Sequence, residues 1–359
     1  MKIELRKDFR WSLVVPTSMG VRITPVNMQP VHCSDLFHMQ VTSAETNVAS
    51  ISSYLDLPVK VLTTFVKESP IARMIKDNLS GRHMEFEGVD IDQGGPWGYR
   101  HQFNIADSGF GSRGPRVHND RAGEVGKTLN VKDFDLPRLF GMEGVQILHL
   151  SGLIAALSPE TGNFCLELVR TARKHNTRIS FDLNYRASFW KNREKELSKI
   201  FREIADHSDF LVGNEEDFQL CLGIPGPEEG GEELSAKIEN FREMISRVKK
   251  EFPGTSVFTT TLRQVITTSE HLWGAIMLEG DTWHIVEPRE IEVLDRIGGG
   301  DGFVGGLLYS ILKGWEPERW IRFGWATGAL AATSVTDYCQ PADEEQVWSI
   351  WKGNARVLR

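Results

Sequence analysis

The middle of the chain alternates short apolar segments with longer amphipathic ones. The apolar segments have the length and the β-branched or aromatic content of buried strands; they lie at 145–150, 178–181, 209–212 and 255–260. One amphipathic segment begins at Ser158, a good N-cap before a proline, and two others cover about 193–206 and 233–250. Because strands and helices alternate, we expect a mostly parallel sheet with helices on both faces.

A further strand-to-helix transition follows near the C-terminal end. Residues 290–294 alternate in character like a strand, and the apolar residues after 302 share one helical face until Gly314, which is placed to end the helix. Between them stand Asp295, three glycines and a second aspartate: Gly298, Gly299, Gly300 and Asp301. Glycines in such a turn let a phosphate approach the unpaired amides of the helix N-terminus.

Asp301 has two interpretations. Aspartate is a good N-cap and suits the positive end of the helix dipole. A cap requires neither three preceding glycines nor a second acid at Asp295. Phosphoryl transfer requires donors for the phosphate and a carboxylate that accepts the proton of the attacking hydroxyl group. We therefore expect a phosphate-binding turn with a general base.

Polar residues also follow the other strands. Asp182, Asn214 and Thr261 come after the segments at 178–181, 209–212 and 255–260. Ligands of parallel sheets bind at the carboxyl ends of the strands. These side chains and Asp301 are therefore predicted to converge on one edge of the sheet.

The first 145 residues have a different organisation. A strand at 12–15 is followed by short strand-like segments at 20–24, 39–42 and 99–104. The glycine-rich loop at 107–114 has the composition of a mobile loop tip. This region predicts a smaller β-structure beside the main sheet.

Residues 295–309, D-R-I-G-G-G-D-G-F-V-G-G-L-L-Y, resemble the C-terminal signature of the PfkB (ribokinase-like) sugar kinases, in the form found in 2-keto-3-deoxygluconate kinases. Further segments resemble that family in the same order: 44–49, 120–123, 182–186, 213–217, 260–263 and 353–357. The resemblance covers nearly the whole chain and is strongest from about residue 145. It implies a single ribokinase-like α/β domain over 1–359, whose small β-sheet lid is formed from segments near 20–45 and 95–120.

The resemblance implies an ATP-dependent kinase that phosphorylates a hydroxyl group of a sugar acid, 2-keto-3-deoxygluconate or a relative. Asp301 would be the base, and the amides of the three glycines would stabilise the transferring phosphoryl group. Asn214, Thr261 and Arg263 would line the nucleotide, and Asn214 with Asp217 would hold Mg²⁺ indirectly. The family also admits a monovalent cation.

The resemblance also implies a set of sugar-binding residues. Arg186 and Arg121 would hold the carboxylate of a sugar acid, since an arginine fork suits that group. Ser43, Asn47 and Asp182 would line the same pocket, with Asp301 at the reacting end.

Most departures from the family cluster on the sugar side. Thr42-Ser43 replaces a Gly-Gly pair, Thr17-Ser18 replaces a Gly-Glu pair, and Asn119 and Arg100 stand where the family has tyrosines. Two departures lie elsewhere: Thr336 replaces a glycine close to the adenine side, and Asp217 replaces a glutamate of the motif near Mg²⁺ and the phosphates. Two alternatives follow: a kinase for a different, neutral sugar, or a non-catalytic regulatory homologue that binds a nucleotide or sugar. Retention of the glycine turn and Asp301 favours the enzyme.

Composition, charge and motif spacing argue against several other classes of protein. A net charge of -8 argues against a general nucleic-acid binder, and a P-loop ending at Gly126-Lys127-Thr128 is excluded because Arg121 stands where its first glycine is required. No apolar run has membrane-spanning length and no signal peptide is evident. Four scattered cysteines indicate reduced thiols in a cytoplasmic protein.

We expect a small sugar or sugar acid as partner, and a homodimer or higher homo-oligomer formed through the lid.

Overall fold

The computed structural model of the protein describes residues 3–226 and 234–354. The acidic, glycine-rich stretch of the sequence at 226–232, which we expect to be a loop, and the end of the segment at 353–357 therefore lie largely outside the described residues. The strands are β1 (Trp11–Pro16), β2 (Gly20–Pro25), β3 (Phe37–Thr42), β4 (Val59–Val66), β5 (Met84–Ile91), β6 (Gln102–Asp107), β7 (Arg116–Asp120), β8 (Val145–Ser151), β9 (Arg178–Asp182), β10 (Phe210–Val212), β11 (Val257–Thr267), β12 (Glu270–Glu279) and β13 (Thr282–Glu292).

The α-helices follow the strands along the chain. They are α1 (Ala44–Tyr54), α2 (Pro70–Gly81), α3 (Gly152–Ala156), α4 (Pro159–Lys174), α5 (Ala187–Trp190), α6 (Glu194–Asp206), α7 (Glu215–Leu222), α8 (Leu234–Glu251), α9 (Gly299–Leu312), α10 (Pro317–Ala331) and α11 (Glu344–Trp351). As expected, Ser158 caps α4, its hydroxyl accepting the Thr161 N–H at 3.2 Å, and Gly314 follows the end of α9 with a positive φ of 67°.

A large sheet forms the centre of the molecule. Its order is β13-β12-β11-β10-β9-β8-β1-β4-β5, and the strands from β5 to β11 run parallel. The expectation of a mostly parallel sheet covered by helices is confirmed. The last two strands are antiparallel, because short turns join β11, β12 and β13 into hairpins, whereas a parallel neighbour requires a crossover.

The strand predictions of the middle region are confirmed with small shifts of their ends. One position differs: β11 continues to Thr267, so Thr261 lies within a strand, opposite Ala275, and does not follow it. The antiparallel partner β12 supplies hydrogen bonds that extend β11 beyond its apolar half. In the first 145 residues, β4, β5 and α2 were not predicted.

Helix α9 is packed closely between two other helices. A Cβ at Gly305 would lie 2.4 Å from the Val48 carbonyl oxygen on α1, and a Cβ at Gly306 would lie 2.0 Å from the Thr327 hydroxyl on α10. The two glycines therefore allow close contact, and this contact fixes the start of α9 against α1.

A smaller sheet lies beside the large one, with the order β3-β2-β6-β7. We call it the small sheet. Its strands β2 and β6 are parallel, and β3 and β7 are the outer strands. Arg22 on β2 is buried and bridges the carboxylates of Asp295 and Asp337, which flank the glycine turn. This ion triad joins the small sheet to the beginning of α9.

Within the described part of the chain, none of the helices combines the length and the apolar character that crossing a membrane requires.

Candidate functional site

The glycine turn before α9 has a geometry that requires glycine. Gly298 has a φ of 85°, and a Cβ there would lie 1.9 Å from the Asp337 carbonyl oxygen. Nothing lies within 4 Å of a Cβ at Gly300, so one side of the turn is open. No side chain among the described residues caps α9. The turn therefore offers helix N-terminal amides to an anion.

Asp295 holds this turn from inside. Its Oδ1 accepts the N–H of Ile297 at 3.0 Å, and its Oδ2 accepts the Ser108 hydroxyl at 2.7 Å and a guanidinium N–H of Arg22. Arg22 also donates to Asp337. Arg22, Asp295 and Asp337 are all buried, so the triad is a structural support of the turn and is not open to a ligand.

Asp301 lies in the first turn of α9 and faces α1. The Asn47 side-chain amide donates to its Oδ2 at 2.8 Å. Burial raises the pKa of Asp301 to about 7, and the nearby carboxylates of Asp337 and Glu45 add to this effect. The Asn47 hydrogen bond and the Arg186 charge oppose it. The carboxyl group is thus poised to exchange a proton near neutral pH.

Asp182 and Arg186 lie close enough to Asp301 for the three charges to influence one another. Burial, together with the charges of Asp217 and Asp301, raises the pKa of Asp182 well above its usual range, and Arg186 lowers it. Arg186 is exposed and donates to the Tyr185 carbonyl oxygen at 2.7 Å. The structure therefore brings Asp182, Arg186 and Asp301 together at the carboxyl edge of the sheet.

Asn214 and Asp217 form a capping box at the start of α7. The Asp217 N–H donates to Asn214 Oδ1, and the Asn214 N–H donates to Asp217 Oδ2, both at 2.8 Å. The other Asp217 oxygen accepts the Tyr185 N–H at 2.8 Å. Asp217 therefore ties the ends of β9 and β10 together.

The same contacts limit how Asn214 and Asp217 could hold a metal ion. Both Asp217 oxygens already accept backbone N–H groups, so a link through water fits better than direct ligation. In the ranges 3–226 and 234–354, no group of three or more His, Cys, Asp or Glu residues is arranged to hold a metal ion.

Thr261 and Arg263 lie on the β11–β12 hairpin. Arg263 is exposed and pairs in register with Trp273 on β12. A Cβ at Gly299 would lie 3.8 Å from the Trp273 ring, so this hairpin packs beside the glycine turn. The structure thus places Thr261 and Arg263 on the element beside the turn.

Ser43 and Glu45 begin α1 on the acceptor side. Ser43 caps the helix, its hydroxyl accepting the Thr46 N–H at 3.2 Å. The buried Glu45 carboxylate accepts hydroxyl hydrogen bonds from Thr17, at 2.6 Å, and from Ser151. Burial raises the pKa of Glu45. Thr17 and Ser43, which stand where the family has glycines, thus have structural partners.

Arg121 is paired within the protein. Its Nη1 donates to both oxygens of Glu124, at 2.8 and 3.0 Å, and its guanidinium lies 5.1 Å from the centre of the Phe189 ring. Glu124 is fully buried and also accepts the Ser18 hydroxyl at 2.6 Å. Arg121 is therefore not a free cation.

A small cavity opens among these residues. It encloses about 20 Å³, which holds a water molecule but not a sugar. Its lining includes Ser18, Ser43, Glu45, Gln102 and Arg121.

The two residues that stand where the family has tyrosines, Arg100 and Asn119, do not line the cavity. Arg100 donates to the Ala122 carbonyl oxygen at 2.8 Å and pairs with Asp120. Asn119 is exposed on the outer strand β7. Lys127 is also exposed, in a short 3₁₀ turn, as expected for a residue outside any phosphate loop.

Several residues that shape the site had no role in the sequence-based prediction: Arg22, Glu45, Glu124 and Gln102. Arg22 had one usable signal, since it is a single cation between apolar residues of a predicted strand. Glu124 had one as well, since it lies three residues after Arg121, whereas Gln102 had none.

The chain is similar to proteins of known family. Residues 141–342 match the family described as pfkB family carbohydrate kinase. A 5-dehydro-2-deoxygluconokinase from Clostridium perfringens is 26% identical over 214 residues, 60% of this chain and 56% of that protein, so the match spans little more than half of that relative's length. A 2-dehydro-3-deoxygalactonokinase from Haloferax volcanii is 25% identical over 342 residues, 94% of this chain and 96% of that protein.

A solved structure has the same fold. The 2-dehydro-3-deoxygluconokinase of Thermotoga maritima superimposes with a TM-score of 0.86, covering 96% of this chain and 100% of that one, at 23% sequence identity. The ribokinase-like fold, with a large mostly parallel sheet and a smaller sheet, is therefore confirmed.

Proposed function

Because the chain belongs to the pfkB family of carbohydrate kinases, we propose that it transfers the γ-phosphoryl group of ATP to a hydroxyl group of a sugar or sugar acid. One observation carries this proposal. A carboxylate with a pKa of about 7, Asp301, lies in the first turn of a helix whose preceding glycine turn is open and uncapped. Base and phosphate donors thus stand side by side.

In the proposed reaction, Asp301 accepts the proton of the attacking hydroxyl group. Asn47 holds the carboxylate in place through its 2.8 Å hydrogen bond. The amides at Gly299 and Gly300 donate to the phosphoryl oxygens as negative charge develops on them. The raised pKa makes Asp301 a stronger base than an exposed aspartate while it remains largely ionised slightly above neutral pH.

The nucleotide is proposed to lie along the glycine turn and the β11–β12 hairpin, where Thr261 and Arg263 are found. Mg²⁺ would neutralise the phosphates and, through water, would face the acids at the ends of β9 and β10, Asp182 and Asp217.

The small sheet is proposed to act as a lid. Gln102 on β6 and Arg121, which directly follows β7, line the cavity beside α1, and that cavity is too small for a sugar. Binding of the acceptor would therefore require the small sheet to move and then close, which excludes water as a competing acceptor.

The test is ADP release from purified protein with Mg²⁺-ATP across a panel of sugars and sugar acids. We expect turnover on at least one acceptor, and turnover lower by about a hundredfold or more with Asp301→Asn. If ATP binds but no acceptor is turned over, the non-catalytic alternative replaces this proposal.

A further inference from the structure

The acceptor side of the site extends to the small cavity beside α1. Ser43 and Glu45, which line this cavity, begin the helix that also carries Asn47, the partner of Asp301. A ligand whose hydroxyl group reaches Asp301 therefore directs another part of itself toward the cavity. The groups around the cavity select the chemistry of that part.

Arg121, the basic residue that lines this cavity, already has its charge neutralised by a carboxylate of the protein. Arg121 donates to both oxygens of Glu124, and the Ser18 hydroxyl donates to the same carboxylate at 2.6 Å. Glu124 has no exposed surface, so moving it away would leave buried polar groups unpaired. The Arg121–Glu124 pair has no net charge to offer a ligand carboxylate.

Other charges make the site still less suitable for an anion. Arg186 is not among the residues that line the cavity, and it lies close enough to Asp182 and Asp301 to lower the pKa of both. Glu45 adds a fully buried carboxyl group, held by hydroxyl groups. A ligand carboxylate at the cavity would therefore meet the buried Glu45 and an arginine that already has a carboxylate partner, which is electrostatically costly.

Two residues of the cavity lining each carry an unpaired polar atom. Gln102 is only 2% exposed, and its Oε1 has no hydrogen-bond partner among the described residues; the same is true of Arg121 Nε. One is an acceptor and the other is a donor. A hydroxyl group can satisfy both kinds of atom, whereas a carboxylate can only accept.

We propose that this cavity binds an uncharged, hydroxyl-bearing end of the acceptor, and that Glu124 determines this specificity by neutralising Arg121. The substrate class is then a neutral sugar and not a sugar acid. This inference rests on the proposed kinase function and narrows it.

The experiment compares acceptors in matched pairs that differ at one terminal carbon, hydroxymethyl in one member and carboxylate in the other. Both kcat/KM from ADP release and equilibrium binding by calorimetry are measured. We expect the wild-type protein to prefer the hydroxymethyl member about tenfold or more, the effect of a hydrogen bond to a charged group.

Glu124→Gln tests the residue directly. Glutamine keeps the shape and can still accept from Ser18, but it releases the Arg121 charge, so the preference should shift about tenfold toward the carboxylate member. Glu85→Gln is the control, because it removes the same charge from an exposed pair with Arg10 and should leave the ratio unchanged. If Glu124→Gln does not fold, Gln102→Leu replaces it and should weaken only the hydroxymethyl member.

The outcomes separate the two proposals. A wild-type preference for the carboxylate member, or a Glu124→Gln ratio equal to that of the control, overturns the neutral-sugar inference and leaves the kinase intact. If no acceptor yields ADP, the proposed function fails, and calorimetry decides the inference: tighter binding of the hydroxymethyl members supports it, and equal, reversed or absent binding overturns it.

Discussion

Asp301 is a carboxylate in a place where ionisation is costly, and its neighbours set that cost. Burial and the acids Asp337 and Glu45 raise its pKa, whereas Asn47 and Arg186 lower it, and the result is about 7. An ordinary N-cap aspartate would be exposed and fully ionised at this pH. The geometry and the pKa thus support the same role for this residue.

Replacing Asp301 by asparagine keeps the shape and removes the base. We expect kcat to fall by about 10² to 10⁴, the usual contribution of a general base, while the affinity for ATP stays close to that of the wild type. ADP release and calorimetry measure the two quantities. Asp343→Asn is the control, since Asp343 also begins a helix and asparagine also caps it. Residual turnover within tenfold of the wild type would remove Asp301 as the base.

The pH profile is the second prediction at this scale. The base acts when ionised, so kcat/KM should rise with pH through a limb near 7 in the free enzyme. Arg186 lowers the pKa of Asp301, so Arg186→Ala should move this limb to higher pH. Initial rates across pH measure the limb. A limb that stays in place or moves to lower pH would show that Arg186 does not act on the base.

At the scale of elements, α9 and the turn before it are held by α1, α10 and the small sheet. The close contacts of Gly305 and Gly306 fix the helix against α1 and α10, and the triad of Arg22, Asp295 and Asp337 fixes the preceding turn to the small sheet. The turn is therefore preorganised, and little rearrangement is needed when a phosphate binds.

Arg22→Met should be strongly destabilising. It leaves two buried carboxylates without their cation, a change that typically costs about 3–5 kcal/mol in the free energy of unfolding. Urea denaturation measures this cost. Arg10→Met removes an exposed ion pair with Glu85 and should cost less than about 1 kcal/mol. Similar costs for the two variants would mean that the triad does not support the turn.

At the scale of the whole molecule, the two sheets differ in how their edges are covered. The small sheet has two outer strands, β3 and β7; the first half of β3 and nearly all of β7 are exposed. Phe37 and Met39 on β3 and Val117 on β7 are 39%, 47% and 52% exposed. Exposed strands with apolar side chains favour pairing with another chain.

We therefore predict a homodimer formed through the small sheet, and sedimentation velocity should give the mass of two chains. Met39→Glu should shift the protein toward monomer, because a charge would be buried at the interface. Met142→Glu changes an exposed methionine outside both sheets and should leave the dimer intact. A monomeric wild type, or a dimer unaffected by Met39→Glu, would contradict this prediction.

The sequence alone determined the features that depend on local pattern. The alternation of apolar and amphipathic segments predicted the parallel sheet, and the cap at Ser158 and the glycine at 314 predicted helix ends, because these signals act over a few residues. The glycine turn with Asp301 was also readable, since its glycines and acid are adjacent in the chain.

The tertiary structure decided what depends on partners distant in the chain. Arg121 was assigned to a ligand carboxylate, and only the fold shows that the neighbouring Glu124 is buried against it and is also held by Ser18, which is distant in the chain. The pKa of Asp301 likewise depends on residues from other elements. The physical reason is that burial and electrostatic pairing are properties of three-dimensional neighbours, which a single chain's local pattern does not specify.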